Sequence, residues 1–205
     1  MANILKPYLE ANRIEAGCDE AGRGCLAGPV TAAAVILPES FYHPMLDDSK
    51  KLSQKKRDIL RIIIEKEAIA WHVAMVDQVV IDEINILNAS IMAMHLAVDG
   101  LKQKPEFLLI DGHRFKPYPN IPHSCEIKGD GRFMTIAAAS ILAKTHRDEF
   151  MQKLHKKHPG YGWDRNAGYP TKLHRAGIRE HGVTEYHRMT FKLLDEQIEI
   201  PFQTS

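Results

Sequence analysis

Cysteine is scarce in this 205-residue chain: Cys18, Cys25 and Cys125 are its three thiols. An odd count with no paired spacing excludes a disulfide framework and a cysteine-built zinc site, and fits free thiols in a reducing compartment, the cytoplasm. Tryptophan occurs twice and the formal net charge is only +1, so bulk electrostatics gives no reason to expect a nucleic-acid partner. A run of 18 apolar residues is also missing, which predicts that no segment spans a membrane. Met1–Leu9 lacks the basic stretch and apolar core of a secretory leader. Neither an internal repeat nor a low-complexity tract is visible. What remains is ordinary globular material, 44% hydrophobic and 26% charged. Its length fits one domain, over residues 1–183, with a small helical extension and tail over 184–205.

Charge is present but unevenly placed. Residues 140–192 hold eleven Lys/Arg against five acids, a local +6, while the rest of the chain is net acidic. A basic segment facing an acidic site is one way to hold a polyanion over metal ions; a solvated helix face is the plainer alternative.

Periodicity predicts a mixed α/β sheet, strands first and then helix and strand in alternation. Strands are expected over 13–19, 30–37, 68–76, 107–111 and 124–127, the first two as a hairpin. Helices are expected over 54–67 with Ser53 as cap, over 85–101 and over 134–158. Thr184 and Glu185 offer a further helix start. Residues 160–175, rich in Gly, aromatic and basic side chains, read as a functional loop. There Tyr161, Trp163, Tyr169 and His174 are interleaved with Arg165, Lys172 and Arg175. Such aromatics either stack on bases and sugars or form a small core beneath a loop. The histidines at 146, 155, 158, 174, 181 and 187 keep no ligand spacing and read as mostly surface residues.

The most informative stretch is Gly17–Pro29. An apolar approach (Ile14, Ala16, Cys18) ends in Asp19 and Glu20, and a glycine turn with one arginine follows: Gly22, Arg23, Gly24, then Gly28. Carboxylate oxygens suit hard divalent cations, and glycine lets backbone N–H groups approach a ligand. Two more acids fall at tips or turns, Asp111 before Gly112, and Asp130 within Lys128-Gly129-Asp130-Gly131. Several carboxylates in one place can seat two cations about 4 Å apart, the arrangement that drives in-line phosphoryl displacement. The glycines also mimic a dinucleotide-binding turn loosely. That turn requires a helix next and an acid about 20 residues later, whereas Pro29 and a β-branched run follow here.

Read together, these blocks resemble the bacterial ribonuclease HII family, the type 2 ribonucleases H. The resemblance is carried by Asp19-Glu20-Ala21-Gly22-Arg23-Gly24, Leu26-Ala27-Gly28-Pro29-Val30, Asp47-Asp48-Ser49-Lys50-Lys51-Leu52, Ile84-Asn85-Ile86-Leu87, Asp111-Gly112, Lys128-Gly129-Asp130, Ile136–Lys144 with Arg147-Asp148, and Gly160-Tyr161-Gly162 followed by Asn166 and Gly168–His174. Six or seven blocks in order run through most of the chain. The resemblance implies a ribonuclease H-like fold: a five-stranded mixed sheet flanked by helices, with a small helical C-terminal part. It also implies an endonuclease that cleaves RNA in RNA–DNA hybrids and incises 5′ of single ribonucleotides in duplex DNA, as in ribonucleotide excision repair. The products would carry 5′-phosphate and 3′-OH ends, and two divalent ions, Mg²⁺ or Mn²⁺, would be required. Asp19, Glu20, Asp111 and Asp130 map onto the family's metal-binding catalytic acids. Gly22, Arg23 and Gly24 map onto the turn that contacts the ribose 2′-OH, and Tyr169 onto the tyrosine that registers the RNA-to-DNA junction. Lys50, Ser140 and Lys144 map onto phosphate-contacting positions. Cys25, Gly131 and His146 depart from the family's usual residues without touching a proposed ligand. The related ribonucleases HIII carry an extra N-terminal domain and typically lysine in the turn, against Arg23 here. A monomer is expected, its partners an RNA–DNA hybrid or a ribonucleotide-containing duplex. Gln197–Phe202 resembles the short peptides that bind the replication sliding clamp. The rival readings are a noncatalytic hybrid-binding protein and another metal nuclease of the same fold.

Overall fold

The chain from Glu15 to Ile36 forms an antiparallel ribbon in which two apolar runs flank a turn where Gly22 (φ 92°) and Gly28 (φ 79°) take the left-handed backbone. The structure is a computed structural model and describes residues 5–194. Strand β1 (Glu15–Ala21) pairs with β2 (Val30–Ile36), and β2 with β3 (Ala70–Val76), both antiparallel. On its other side β1 pairs in parallel with β4 (Phe107–Asp111), and β4 in parallel with β5 (His123–Glu126). The sheet order is β3-β2-β1-β4-β5, the five-stranded mixed sheet that the sequence predicts.

Helices cover both faces. Helix α2 (Gln78–Asp99) packs Ile81, Ala89, Ala93, Met94, Ala97 and Val98 on one face, against Ala16, Cys18, Ala32, Leu108 and Ile110. By length and composition α2 could cross a membrane, yet this apolar face is spent on the sheet. Helices α1 (Gln54–Glu67) and α3 (Met134–Lys157) cover the other face, with Leu60, Ile64 and Ala137–Ala139 against Ala33 and Val35. Ser53 caps α1 as expected, accepting from the Lys56 N–H.

Beyond α3 the chain forms a 3-10 turn at Pro159–Tyr161, the short α4 (Trp163–Asn166) and α5 (Lys172–His181). This small helical part has its own core, in which Tyr161 and Trp163 stack at 4.9 Å beside Met151, Leu154 and Ile178.

Four expectations are corrected. Helix α2 starts seven residues earlier than predicted, at Gln78, because Asp77 caps it and Asn85 supplies a left-handed kink (φ 65°) that breaks the apparent start at 85. The loop expected over 160–175 is largely helical. His174 and His187 are buried rather than at the surface. No helix opens at Thr184: residues 184–194 run in turns, and Thr184 instead donates its N–H to His187 Nδ1. The peptide 197–202 lies outside the described residues.

Helix α3 lies unusually close to β1, and Gly17 permits it. A Cβ at Gly17 would stand 2.2 Å from the Thr135 carbonyl carbon and 2.4 Å from the Ile136 nitrogen. Both are backbone atoms, so α3 would have to retreat from the strand that carries Asp19. Gly17→Ala is therefore expected to cost about 1–3 kcal/mol, a fall in Tm of about 2–4 °C per kcal/mol at this chain length. An unchanged thermal melt would contradict this packing.

Candidate active site

Strand register places the first two acids together. Cys18 pairs with Ile110 across the parallel β1–β4 ladder, so Asp19 and Asp111, one residue further along each strand, emerge side by side. Alternation sends Cys18 and Ile110 into the α2-side core and turns Asp19 and Asp111 toward α3. The same alternation turns Glu20 the opposite way, toward Leu87, Ser90, Ile91 and Met94 of α2. Glu20 thus approaches from the other side of the sheet.

Asp130 comes from a different element, the 3-10 turn Gly129–Gly131 that leads into α3. Lys128 precedes it in the left-handed region (φ 55°), and the Gly129 N–H donates to Asp111 Oδ1 at 2.8 Å. That bond ties the turn to the tip of β4. The outcome is that carboxylate oxygens of Asp19, Asp111 and Asp130 lie within 4.8 Å of one another.

A cleft of about 370 Å³ opens over this group, lined by Asp19, Glu20, the turn Ala21–Gly24, Ser49, Lys50, Arg57, Asp111, Ser140, Lys144 and Tyr169. Lys50 stands at its rim with Nζ 3.2 Å from Asp130 Oδ2. Ser140, on α3, lines the cleft with Asp19 and shares a 2.8 Å hydroxyl contact with Ser49. Lys144 pairs with Asp148 at 2.7 Å and lies 5.6 Å from the centre of the Tyr169 ring. Arg23 pairs with Glu20 at 3.1 Å.

The electrostatics are those of an anionic site short of positive charge. Burial, then the charges of Glu20 and Asp111, hold the Asp19 carboxyl well above the usual carboxylate range. Glu20 is raised by burial although Arg23 opposes the shift, and Asp130 is raised by burial and Asp111 although Lys50 opposes it. Hard oxygen donors that repel one another fit a divalent cation, which removes the repulsion that neither Lys50 nor Arg23 cancels.

Every site residue expected from the sequence borders this one cleft or the carboxylate group beneath it. Sequence reasoning assigned no role to Ser49 or Arg57, whose signal was their place beside Lys50 and in the first turn of α1. Arg57 donates to the Ser49 and Leu52 carbonyls at 3.1 and 2.6 Å and so fixes the loop that carries Lys50. The aromatic run divides. Tyr161, Trp163 and His174 are core, while Tyr169 is half-exposed over the cleft. His174 holds Tyr169 from behind: its Nδ1 lies 3.0 Å from the Tyr169 carbonyl, and its Nε2 accepts from Trp163 Nε1 and faces His187. Burial lowers the pKa of both histidines, pushing His187 down to about 4.

Comparison with known proteins bears directly on this geometry. The family description "Ribonuclease HII" matches residues 16–194. The ribonuclease HII of Phocaeicola vulgatus is 63% identical over 201 residues, covering 97% of this chain and all of that protein. That of Christiangramia forsetii is 63% identical over 187 residues, covering 91% of this chain and 94% of its own. Among solved structures, the RNase HII of Archaeoglobus fulgidus, determined as a PCNA complex, superposes with a TM-score of 0.73 at 28% identity, covering 90% of this chain and 98% of that one. The ribonuclease H2 of Pyrococcus horikoshii superposes with the same TM-score at 25% identity, covering 87% and 94%.

If mutual repulsion is the dominant strain in the site, Asp19→Asn keeps the shape and removes a charge. It is expected to raise the Tm of the metal-free protein by about 2–4 °C, roughly 1 kcal/mol at this chain length. Adding millimolar Mg²⁺ should raise the Tm of the parent protein and leave the variant's nearly fixed. A variant that melts lower, or responds equally to Mg²⁺, would contradict the electrostatic account.

Proposed function

The chain belongs to the ribonuclease HII family, and from that premise we propose that Asp19, Glu20, Asp111 and Asp130 are its catalytic, metal-holding acids, and that it nicks duplex DNA 5′ of single embedded ribonucleotides. It is a divalent-metal-dependent endoribonuclease that acts on RNA–DNA hybrids. The observation that carries the site assignment is the approach of the Asp19, Asp111 and Asp130 carboxylates to within 4.8 Å at the floor of a cleft with basic and glycine-rich walls.

The residues divide the work by what they touch. The four acids would hold two divalent ions, Mg²⁺ or Mn²⁺. Bound there, such ions activate a water and stabilise the leaving oxygen of an in-line phosphodiester displacement. Lys50, Ser140 and Lys144, which line the cleft, would bind phosphates flanking the scissile bond. Gly22–Gly24 present backbone to the sugar. The 2′-OH is the chief mark of a ribose within DNA, so discrimination has to be made there. Tyr169 offers a ring to the sugar on the DNA side of the junction. A role in ribonucleotide excision repair fits this substrate, and the three free thiols support a reducing compartment, the cytoplasm.

Incubation with a duplex carrying one ribonucleotide, with Mg²⁺ or Mn²⁺ and a chelator control, tests the reading. A nick 5′ of the ribonucleotide with 5′-phosphate and 3′-OH ends is expected, and an all-DNA duplex should stay intact. Binding without a nick would leave a noncatalytic hybrid-binding protein; a nick in plain DNA would leave another metal nuclease. Asp19→Asn should nearly abolish cleavage while duplex affinity stays within a few fold. Tyr169→Ala should weaken single-ribonucleotide incision more than loss of Lys153 does, and equal losses would make the tyrosine merely structural.

The archaeal relative was solved with PCNA, which supports extending the proposal to a sliding clamp that takes Ile200 and Phe202 of peptide 197–202 in an apolar groove. Clamp capture that survives deletion of residues 197–205 would end that extension.

A further inference from the structure

The glycine turn is held from beneath by two buried arginines, Arg147 and Arg188, which form no ion pair among the described residues. Their donors go to backbone carbonyls instead. Arg147 donates to Ala27, Pro29 and Ala167 at 3.0, 2.9 and 2.7 Å. Arg188 donates through Nε and Nη2 to the Gly28 carbonyl at 3.0 and 2.9 Å, and through Nη1 to the Arg23 carbonyl at 2.9 Å.

The last of these bonds has a directional consequence. In a trans peptide the C=O and the following N–H point opposite ways. With the Arg23 carbonyl drawn inward to Arg188, the Gly24 N–H must point outward. Gly24 lines the cleft beside Glu20 and Arg23, and a Cβ built on it would meet nothing within 4 Å. Among the described residues no group accepts from the Gly24 N–H, nor from those of Gly22 and Arg23, whereas Cys25 and Leu26 donate to Gly22 and Gly168. Of these three donors, the Gly24 N–H is the one whose peptide is held by a side chain, through the Arg188–Arg23 bond.

Arg188 is itself placed by the turn it serves. Its N–H donates to Leu26 and the Gly28 N–H to Tyr186, both at 2.8 Å, in a short antiparallel bridge. A guanidinium suits this task and an ammonium does not, since two carbonyls separated along the chain need donors in a fixed fork.

We propose that Arg188 is a positioning residue for ribose recognition: by holding the Arg23 carbonyl inward, it aims the Gly24 N–H at the 2′-hydroxyl oxygen of the bound ribonucleotide. The inference rests on the reading of the glycine turn given under Proposed function. It extends that reading to a residue that lies below the cleft and touches no substrate.

The test is a ratio of affinities in the full-length protein with chelator present, so that no cleavage occurs. Kd is measured for a duplex with one ribonucleotide and for the same duplex with deoxyribose at that position, in the parent protein, Arg188→Lys and Arg188→Gln. The parent is expected to prefer the ribonucleotide duplex. Both variants should lose at least fivefold of that preference while their affinity for the all-DNA duplex changes less than twofold. A merely structural arginine would weaken both affinities alike and leave the ratio unchanged, and that result overturns the inference. A parent protein without preference removes the glycine-turn reading itself, which distinguishes the two failures. Thermal melts establish that each variant is folded at the assay temperature. Should neither be folded, the Gly24 amide resonance of the ¹⁵N-labelled parent decides: it should shift with the ribonucleotide duplex and stay with the all-DNA one. Equal shifts overturn the proposal.

Discussion

Repulsion among buried carboxylates is the constraint around which this molecule is arranged. Asp19, Asp111 and Asp130 would separate if they were free to, and each is prevented by a different device. The parallel β1–β4 register fixes the first two. Gly17 lets α3 press on β1, the strand that carries Asp19. The Gly129–Asp111 bond draws the third acid in with its turn. Structural groups leave the charge only partly offset, with Lys50 on Asp130 and Arg23 on Glu20. Divalent cations bound among these acids would relieve that repulsion.

A second pair of charges is buried with the opposite sign. Arg147 and Arg188 lie under the glycine turn and satisfy themselves on carbonyls from Arg23, Ala27, Gly28, Pro29 and Ala167. Buried ions are tolerated only when hydrogen-bonded, and here the bonds shape a loop as well as satisfy the charge. A turn rich in glycine is locally unconstrained, so its conformation has to come from distant residues. Arg188 lies 165 residues from Arg23 in sequence and is linked to it at 2.9 Å. The segment after α5, which sequence alone casts as an appendage, thereby supports the wall of the site from beneath.

Much of the fold was legible because it follows from local patterning. The β4 strand Phe107–Asp111 is a continuous apolar run ended by Asp-Gly, and its bounds are those expected. Helix α1 announces its cap at Ser53. The convergence of Asp19, Asp111 and Asp130 was legible because each lies near a strand end or in a glycine turn. What sequence did not carry was the fate of side chains whose partners are far away. Arg147 and Arg188 counted toward a basic surface, and charge composition cannot tell a phosphate ligand from a guanidinium buried on carbonyls. His174 and His187 looked like surface residues because their burial depends on each other and on Trp163. The start of α2 was hidden by the kink at Asn85, whose left-handed backbone is a tertiary choice that local propensity does not dictate.

The central claim is that the converging acids seat divalent cations beneath the scissile bond. Anomalous diffraction from a crystal of the protein with Mn²⁺ and an uncleavable one-ribonucleotide duplex tests it most directly. The account predicts two manganese peaks among the carboxylates of Asp19, Glu20, Asp111 and Asp130, in contact with the phosphate 5′ of the ribonucleotide. Peaks elsewhere, or a bound duplex with Asp130 or Asp111 turned away from any ion, would contradict it.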